Sequence, residues 1–252
     1  MPTGLVLSGG GIRGVSHLGV LKALEEEGLK IDQISGTSAG ALLGALYSYG
    51  YSPEFILEEI VSTKLFKLLK PEFAGGGMLK MDKIGAFLKN YIKEDSFDRL
   101  RIPLTVVATD LRKGKSISFN SGELITPVLC SSCIPVVFKP IQFNGCEYID
   151  GGVLSNFPIA PLQESCDFII GSDCNFIDDN FQRKGFKSII ERSLLLALNG
   201  NMKNNKTACD VLIDPPAIKQ IGVFEFSRAK EIFVIGYEEA KRQLANIKRT
   251  HE

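Results

Sequence analysis

The chain has 252 residues, long enough to bury a large core as one domain or two small ones. Its composition, 44% hydrophobic and 23% charged, is that of a globular protein. Lys+Arg and Asp+Glu both number 29, and the zero net charge excludes a global field that would gather nucleic acid or an anionic surface.

In chain order, Met1-Pro2-Thr3-Gly4 passes straight into Leu5-Val6-Leu7. No basic region followed by a long apolar stretch is visible, so no signal peptide is read, and no apolar run reaches the ~18 residues of a bilayer span. Residues 5–8 read as a buried strand that ends in the turn Gly9-Gly10-Gly11. Val15, Leu18, Leu21 and Leu24 then recur at helical spacing, and Gly28 stops the helix. Residues 31–35 form a second short strand, Gly36 opens a turn, and residues 39–49 form a helix of Ala and Leu. Strand–turn–helix repeated twice implies a parallel sheet covered by helices.

Ser52 caps a further helix with Pro53 at its first position, continuing towards Leu69 and stopping at Pro71. Lys64, Lys67 and Lys70 lie on it beside four apolar residues, and Gly75-Gly76-Gly77 follows. This segment reads either as an amphipathic helix packed on the core or as a mobile cap meeting an anionic lipid surface, where each lysine would contribute about 1 kcal/mol. Residues 81–92 are amphipathic. Residues 104–108 form a strand whose extension pairs with 116–119, and residues 123–133 form a helix ended by Pro135. Residues 146–149, 168–171 and 211–213 are strands, and 186–199 and 227–247 are helices. No repeat, low-complexity tract or linker interrupts the chain, so residues 1–252 read as one α/β domain.

The cysteines form no disulfide framework. Cys130-Ser131-Ser132-Cys133 has no second pair and no nearby His with which to build a zinc site. It reads as small residues on a buried helix, and the cysteine usage fits a reducing cytoplasm. The acidic loop from Asp173 lacks the Gly at its sixth position (Asp178) and the Glu at its twelfth (Lys184), so it is not an EF-hand. No metal or cofactor is expected.

Three patterns carry chemistry. Gly36-Thr37-Ser38-Ala39-Gly40 is a G-x-S-x-G sequence between a strand and a helix, the setting of a nucleophile elbow. The turn lifts the serine hydroxyl clear of the sheet, and the positive end of the following helix favours the alkoxide. Gly9-Gly10-Gly11-Ile12-Arg13-Gly14 suits either a pyrophosphate or the oxyanion of an acyl transfer. A dinucleotide site needs an acidic residue ending the second strand, but Asp32 stands at that strand's start and the strand delivers a serine elbow. The loop therefore reads as an oxyanion hole, with Gly10 and Gly11 as donors and Arg13 adding charge or pairing with a surface carboxylate.

The serine needs a base, and only two histidines exist. His251 sits in a charged tail of the kind that frays, and His17 reads as a packed helix residue. Asp150-Gly151-Gly152 supplies a carboxylate with room for a close neighbour, although Asp-Gly also makes hairpin turns. Asp110 and Asp173 also follow apolar strands and compete for the role.

Together these motifs, in this order, resemble the patatin-like phospholipases. His17-Leu18-Gly19-Val20-Leu21, Ala108-Thr109-Asp110-Leu111 and Asn156-Phe157-Pro158 extend the likeness from about residue 5 to 161. The resemblance implies a three-layer α/β/α fold with a mainly parallel sheet. It also implies a Ser38–Asp150 dyad, an oxyanion held by the glycine loop, and an acyl-enzyme on Ser38 that water hydrolyses. The expected activity is hydrolysis of carboxylic esters in phospholipids or lysophospholipids. Rival expectations are a broad esterase or thioesterase, and a non-catalytic lipid- or nucleotide-binding module that keeps the glycine loop.

Overall fold

The structure, a computed structural model, describes residues 1–63, 81–135, 137–177, 180–181, 185–223 and 225–250. Lys64, Lys67, Lys70, the glycines at 75–77, Asp178, Lys184 and His251 lie outside the described residues.

Its strands are β1 (Thr3–Leu7), β2 (Gln33–Thr37), β3 (Leu104–Asp110), β4 (Lys115–Phe119), β5 (Ile141–Phe143), β6 (Cys146–Asp150), β7 (Phe168–Ser172) and β8 (Val211–Ile213). They form one sheet in the order β5-β6-β3-β2-β1-β7-β8, with β4 also paired to β3. The centre, from β3 through β2, β1 and β7 to β8, is parallel. The β3–β4, β3–β6 and β5–β6 pairs are antiparallel.

Period-two alternation sends successive strand residues to opposite faces. Leu5 and Leu7 of β1, with Ile170 of β7, enter the large core. Val6 and Ile169 enter the opposite one with Phe157, Leu162 and Met202. That is why these strands read as unbroken apolar runs: both faces are covered. The first face carries α1 (Ser16–Glu26), α2 (Ala39–Tyr49), α3 (Pro53–Ser62) and α8 (Ala229–Thr250). The second carries α6 (Ala160–Gln163) and α7 (Phe186–Lys206). The remaining helices, α4 (Asp82–Tyr91) and α5 (Ile125–Ser131), pack together. The architecture is the expected three-layer α/β/α arrangement.

Boundaries differ from the sequence expectation in definable ways. β2 starts two residues late because it takes its register from β1, where Gly4 pairs with Gln33. α5 is shorter than residues 123–133: Asp95 accepts hydrogen bonds from Leu124 and Ile125 N–H, which fixes its start. Strand β5 escaped notice because three residues carry no periodic signal; the Asn144-Gly145 turn, both residues at positive φ, joins it to β6. Ser52 caps α3 as expected, accepting from Phe55 N–H at 3.2 Å.

Helix α2 lies unusually close to the sheet. A Cβ on Gly40 would sit 2.3 Å from the Leu7 carbonyl oxygen. Gly40→Ala should therefore lower stability by about 1–3 kcal/mol, the range for overpacking. Gly200, on the exposed side of α7 with nothing within 4 Å of an added Cβ, provides the opposite case. Gly200→Ala should raise stability by roughly 0.5–1 kcal/mol through helix propensity. Urea unfolding midpoints of the two variants should move in opposite directions.

Candidate active site

The close approach of α2 fixes the turn before it. Ser38 joins β2 to α2 with φ 53° and ψ −119°. Among the described residues only Asn144 shares a positive φ without being glycine. Such a conformation costs about 1–3 kcal/mol and persists only where its surroundings enforce it. Here they do. Ser38 N–H donates to Ser131 Oγ at 2.8 Å, and the Ser131 hydroxyl donates to the Val107 carbonyl at 2.6 Å. The Ser132 hydroxyl donates to the Ser38 carbonyl at 3.2 Å. In the sequence these two serines read only as small residues on a buried helix. Their signal was position: polar hydroxyls inside an apolar helix need partners.

Asp150 ends β6, opposite Ala108 in the register. Its N–H donates to the Cys133 carbonyl at 2.9 Å, and its carbonyl accepts from the Thr109 hydroxyl at 3.0 Å. With the backbone pinned, the carboxylate faces Ser38. The Ser38 hydroxyl donates to Oδ2 at 2.7 Å, and Gly152 N–H donates to Oδ1 at 2.7 Å. Asp150-Gly151 is not a hairpin; the strand runs into a short 3-10 turn, Gly151–Val153, that the carboxylate caps. A Cβ on Gly151 would lie 2.1 Å from the Val107 carbonyl oxygen, so only glycine allows this crossing over β3. Burial pushes Asp150 up to about 6, while the hydrogen bonds from Ser38 and Gly152 pull it back down.

The glycine loop closes the third side. Gly9 N–H donates to the Asn156 carbonyl at 3.1 Å, and Ile12 N–H donates to the Val223 carbonyl at 3.2 Å. Between them, the Gly10 and Gly11 amides have no hydrogen-bond partner among the described residues, and both residues line the cavity that holds Ser38 and Asp150. That cavity measures about 260 Å³, and Ile134, Pro135, Val153, Leu194, Leu198 and Val223 give it apolar walls. Gly14 starts the packing of α1 against α2, where an added Cβ would lie 2.6 Å from Ala39 Cβ. Arg13 is buried, donates Nε–H to the Ile221 carbonyl at 2.6 Å, and does not line this cavity. The long wall of α7 was not legible beforehand, since helix-to-sheet packing decides which of its faces meets the site.

The competing bases are placed elsewhere. His17 bonds Ser172 Oγ at 2.7 Å and the Ser8 carbonyl at 2.9 Å, and burial lowers it to about 4. The Asp110 carboxylate accepts from Arg112 and Lys113 N–H, closing its own turn. Asp173 pairs with Lys206 and accepts from Asn175. None of the three lines the cavity of Ser38.

An α/β/α scaffold that brings a strained serine, a buried aspartate and free glycine amides into one apolar cavity has known counterparts. Residues 5–162 match the patatin-like phospholipase family, and the chain belongs to it. It is 36% identical over 160 residues to an uncharacterized NTE family protein of Mycobacterium tuberculosis, covering 63% of this chain and 44% of that protein. It is 26% identical to lysophospholipase nte1 of Emericella nidulans, covering 97% of this chain and 18% of that protein. The chain thus spans less than half the length of these curated relatives. Among solved structures, VipD of Legionella pneumophila superposes with a TM-score of 0.56 at 16% identity, covering 97% of this chain and 67% of VipD. Human GIVD cytosolic phospholipase A2 follows with a TM-score of 0.50 at 12% identity, covering 98% and 58%. Both share the fold.

The raised Asp150 has a consequence for stability. The folded chain holds this proton up to about pH 6, whereas an unfolded aspartate releases it near 3.8. Between those values the folded state binds more protons, so stability falls as pH rises through the window, and the cost is complete above it. Asp150→Asn removes that cost. The variant should match wild type below about pH 3.5 and exceed it at pH 7 by an amount on the order of 3 kcal/mol, read by denaturant unfolding at both pH values.

Proposed function

We propose that this protein is a serine lipid acyl hydrolase, that Ser38 is its nucleophile and Asp150 its base, and that residues 1–252 work as one domain. The observation that carries the reading is the 2.7 Å hydrogen bond from the Ser38 hydroxyl to the Asp150 carboxylate at the floor of an apolar cavity. Family membership supports the hydrolase class, and the lysophospholipase relative supports the lipid substrate.

The reaction follows from the geometry. Ser38 Oγ attacks the ester carbonyl while its proton passes to Asp150. The carbonyl oxygen becomes an oxyanion and accepts from Gly10 and Gly11 N–H, with the N-terminus of α2 adding its positive end. Collapse breaks the bond to the leaving alcohol, which takes the proton from Asp150. An acyl-enzyme on Ser38 remains. Water then gives its proton to Asp150, attacks the acyl carbon and releases the fatty acid, and the proton returns to Ser38.

The cavity, about 260 Å³, falls just below the usual range for sites enclosing a drug-sized ligand and suits one acyl chain better than two. That favours a lysophospholipid or another single-chain ester over a double-chain phospholipid held whole. Exposed Val153 and Leu194, which line the cavity, supply an apolar rim for lipid. No helix among the described residues is long and apolar enough to cross a membrane.

A fluorophosphonate probe should label wild type, and Ser38→Ala should abolish the labelling; an unlabelled wild type would favour a binding module instead. Asp150→Asn should lower turnover of a lysophospholipid by about 10²–10⁴, the range for a general base. Because Asp150 works as the carboxylate, wild-type kcat/KM should rise with pH through about 6. A profile flat from pH 5 to 8 would place the base elsewhere.

A further inference from the structure

Free amides in a glycine loop hold an oxyanion only if the peptide planes stay turned the right way. Gly9-Gly10-Gly11 has the least intrinsic resistance to a peptide flip, so something outside the loop must supply it. The Gly9 carbonyl is where that happens. It accepts from Asn175 Nδ2 at 2.6 Å, from Asn156 Nδ2 at 3.2 Å, and from the Cys174 thiol at 3.4 Å. All three donors are at most 1% exposed. No peptide bond is cis among the described residues, so the Gly10 N–H points opposite to the Gly9 carbonyl oxygen. Donors that hold that oxygen inward hold the Gly10 N–H outward, on the side where Gly10 lines the cavity of Ser38.

Asn175 is itself fixed from several sides. Its side-chain nitrogen also donates to Asp173 Oδ1 at 2.8 Å, and the same oxygen accepts from its own N–H at 3.1 Å. Asp173 is ion-paired with Lys206 of α7, which also pairs with Asp214 at 3.1 Å. Asn199, on the same helix, donates to the Asn175 carbonyl at 2.9 Å. A chain of polar contacts therefore runs from α7 through Asp173 and Asn175 to one carbonyl of the glycine loop. Asn175 does not line the cavity and so does not touch substrate.

We propose that Asn175 is a positioning residue that locks the Gly9–Gly10 peptide in the orientation that turns the Gly10 N–H towards the developing oxyanion, with Asn156 as a second clasp. This rests on the reading of Ser38 as nucleophile. Without the lock the peptide turns over in part of the population, and a carbonyl lone pair faces the substrate oxygen in place of an N–H. Ground-state binding in the apolar cavity does not depend on that peptide.

The test compares two probes on wild type and Asn175→Leu. A long-chain alkyl trifluoromethyl ketone becomes an oxyanion on Ser38, whereas the matching alkyl ether only occupies the cavity. In the variant the ketone's affinity and kcat should fall about 10–100-fold, part of what one lost oxyanion donor costs. Ether affinity and KM should stay within about twofold. Asn175→Ser, which keeps a shorter donor, should fall between. Equal losses on both probes, or no loss on either in a variant with a cooperative thermal transition, would overturn the proposal. If the leucine variant does not fold, the serine variant decides by the same ratio, and failure of both to fold also overturns it by showing a structural role. Fluorophosphonate labelling of wild-type Ser38 is run alongside. Its absence removes the nucleophile reading itself, while its presence with an unchanged ratio removes only the role of Asn175.

Discussion

The hydrogen bond between Ser38 and Asp150 joins residues 112 positions apart, and most of the fold serves to make it possible. Strand β3 is the common reference. Thr37 pairs with its Val107, and Asp150 with its Ala108, so adjacent residues of one strand set the height of both groups. Sheet register is specified by burial on both faces, and a slip of one residue would turn Asp150 to the other side. Helix α5 adds a second reference, since Ser131 and Ser132 hold the serine turn and Cys133 holds the Asp150 amide.

The same arrangement stores free energy at the site. Ser38 keeps a backbone conformation that L residues rarely adopt, and Asp150 is a carboxylate removed from water. Neither would persist in a loose surrounding. The opposing contribution comes from apolar residues such as Leu5, Leu7, Ile34 and Leu43, buried at about 1.5–3 kcal/mol each. This is the usual division of labour between a strained site and a well-packed scaffold.

How much of this was readable beforehand follows from the range of the interactions. Ser38 and Asp150 stood out because local chemistry marks them: glycines where backbones cross, a serine between strand and helix, a carboxylate beside paired glycines. The buried strands were plain because both faces are covered. The antiparallel β5–β6 hairpin was not, since its pairing depends on a three-residue strand and an Asn-Gly turn. Nor was the polar chain from Lys206 to Gly9, whose members gain meaning only when α7 packs against the loop. Asn156 belongs to the family resemblance in the sequence, yet its contacts with both polar groups of Gly9 are a property of the fold alone.

The scarcity of histidine then has a physical sequel. In the proposed dyad, burial lifts Asp150 to about 6, close to the 6.5 of an ordinary imidazole, and so would supply basicity near neutral pH without one. The charge balance is not the same. A histidine base becomes a cation as the oxyanion forms, and the two attract. An aspartate base becomes neutral, and the single negative charge simply moves from the carboxylate to the substrate oxygen. No cation is created to receive it, and Arg13, which donates Nε–H to the Ile221 carbonyl, does not line the cavity. Stabilisation must then come from fixed dipoles, namely the glycine amides and the start of α2. The proposed dyad would therefore demand more of its loop than a triad does, and the anchoring of the Gly9 carbonyl from behind is how a flexible triple glycine would meet that demand.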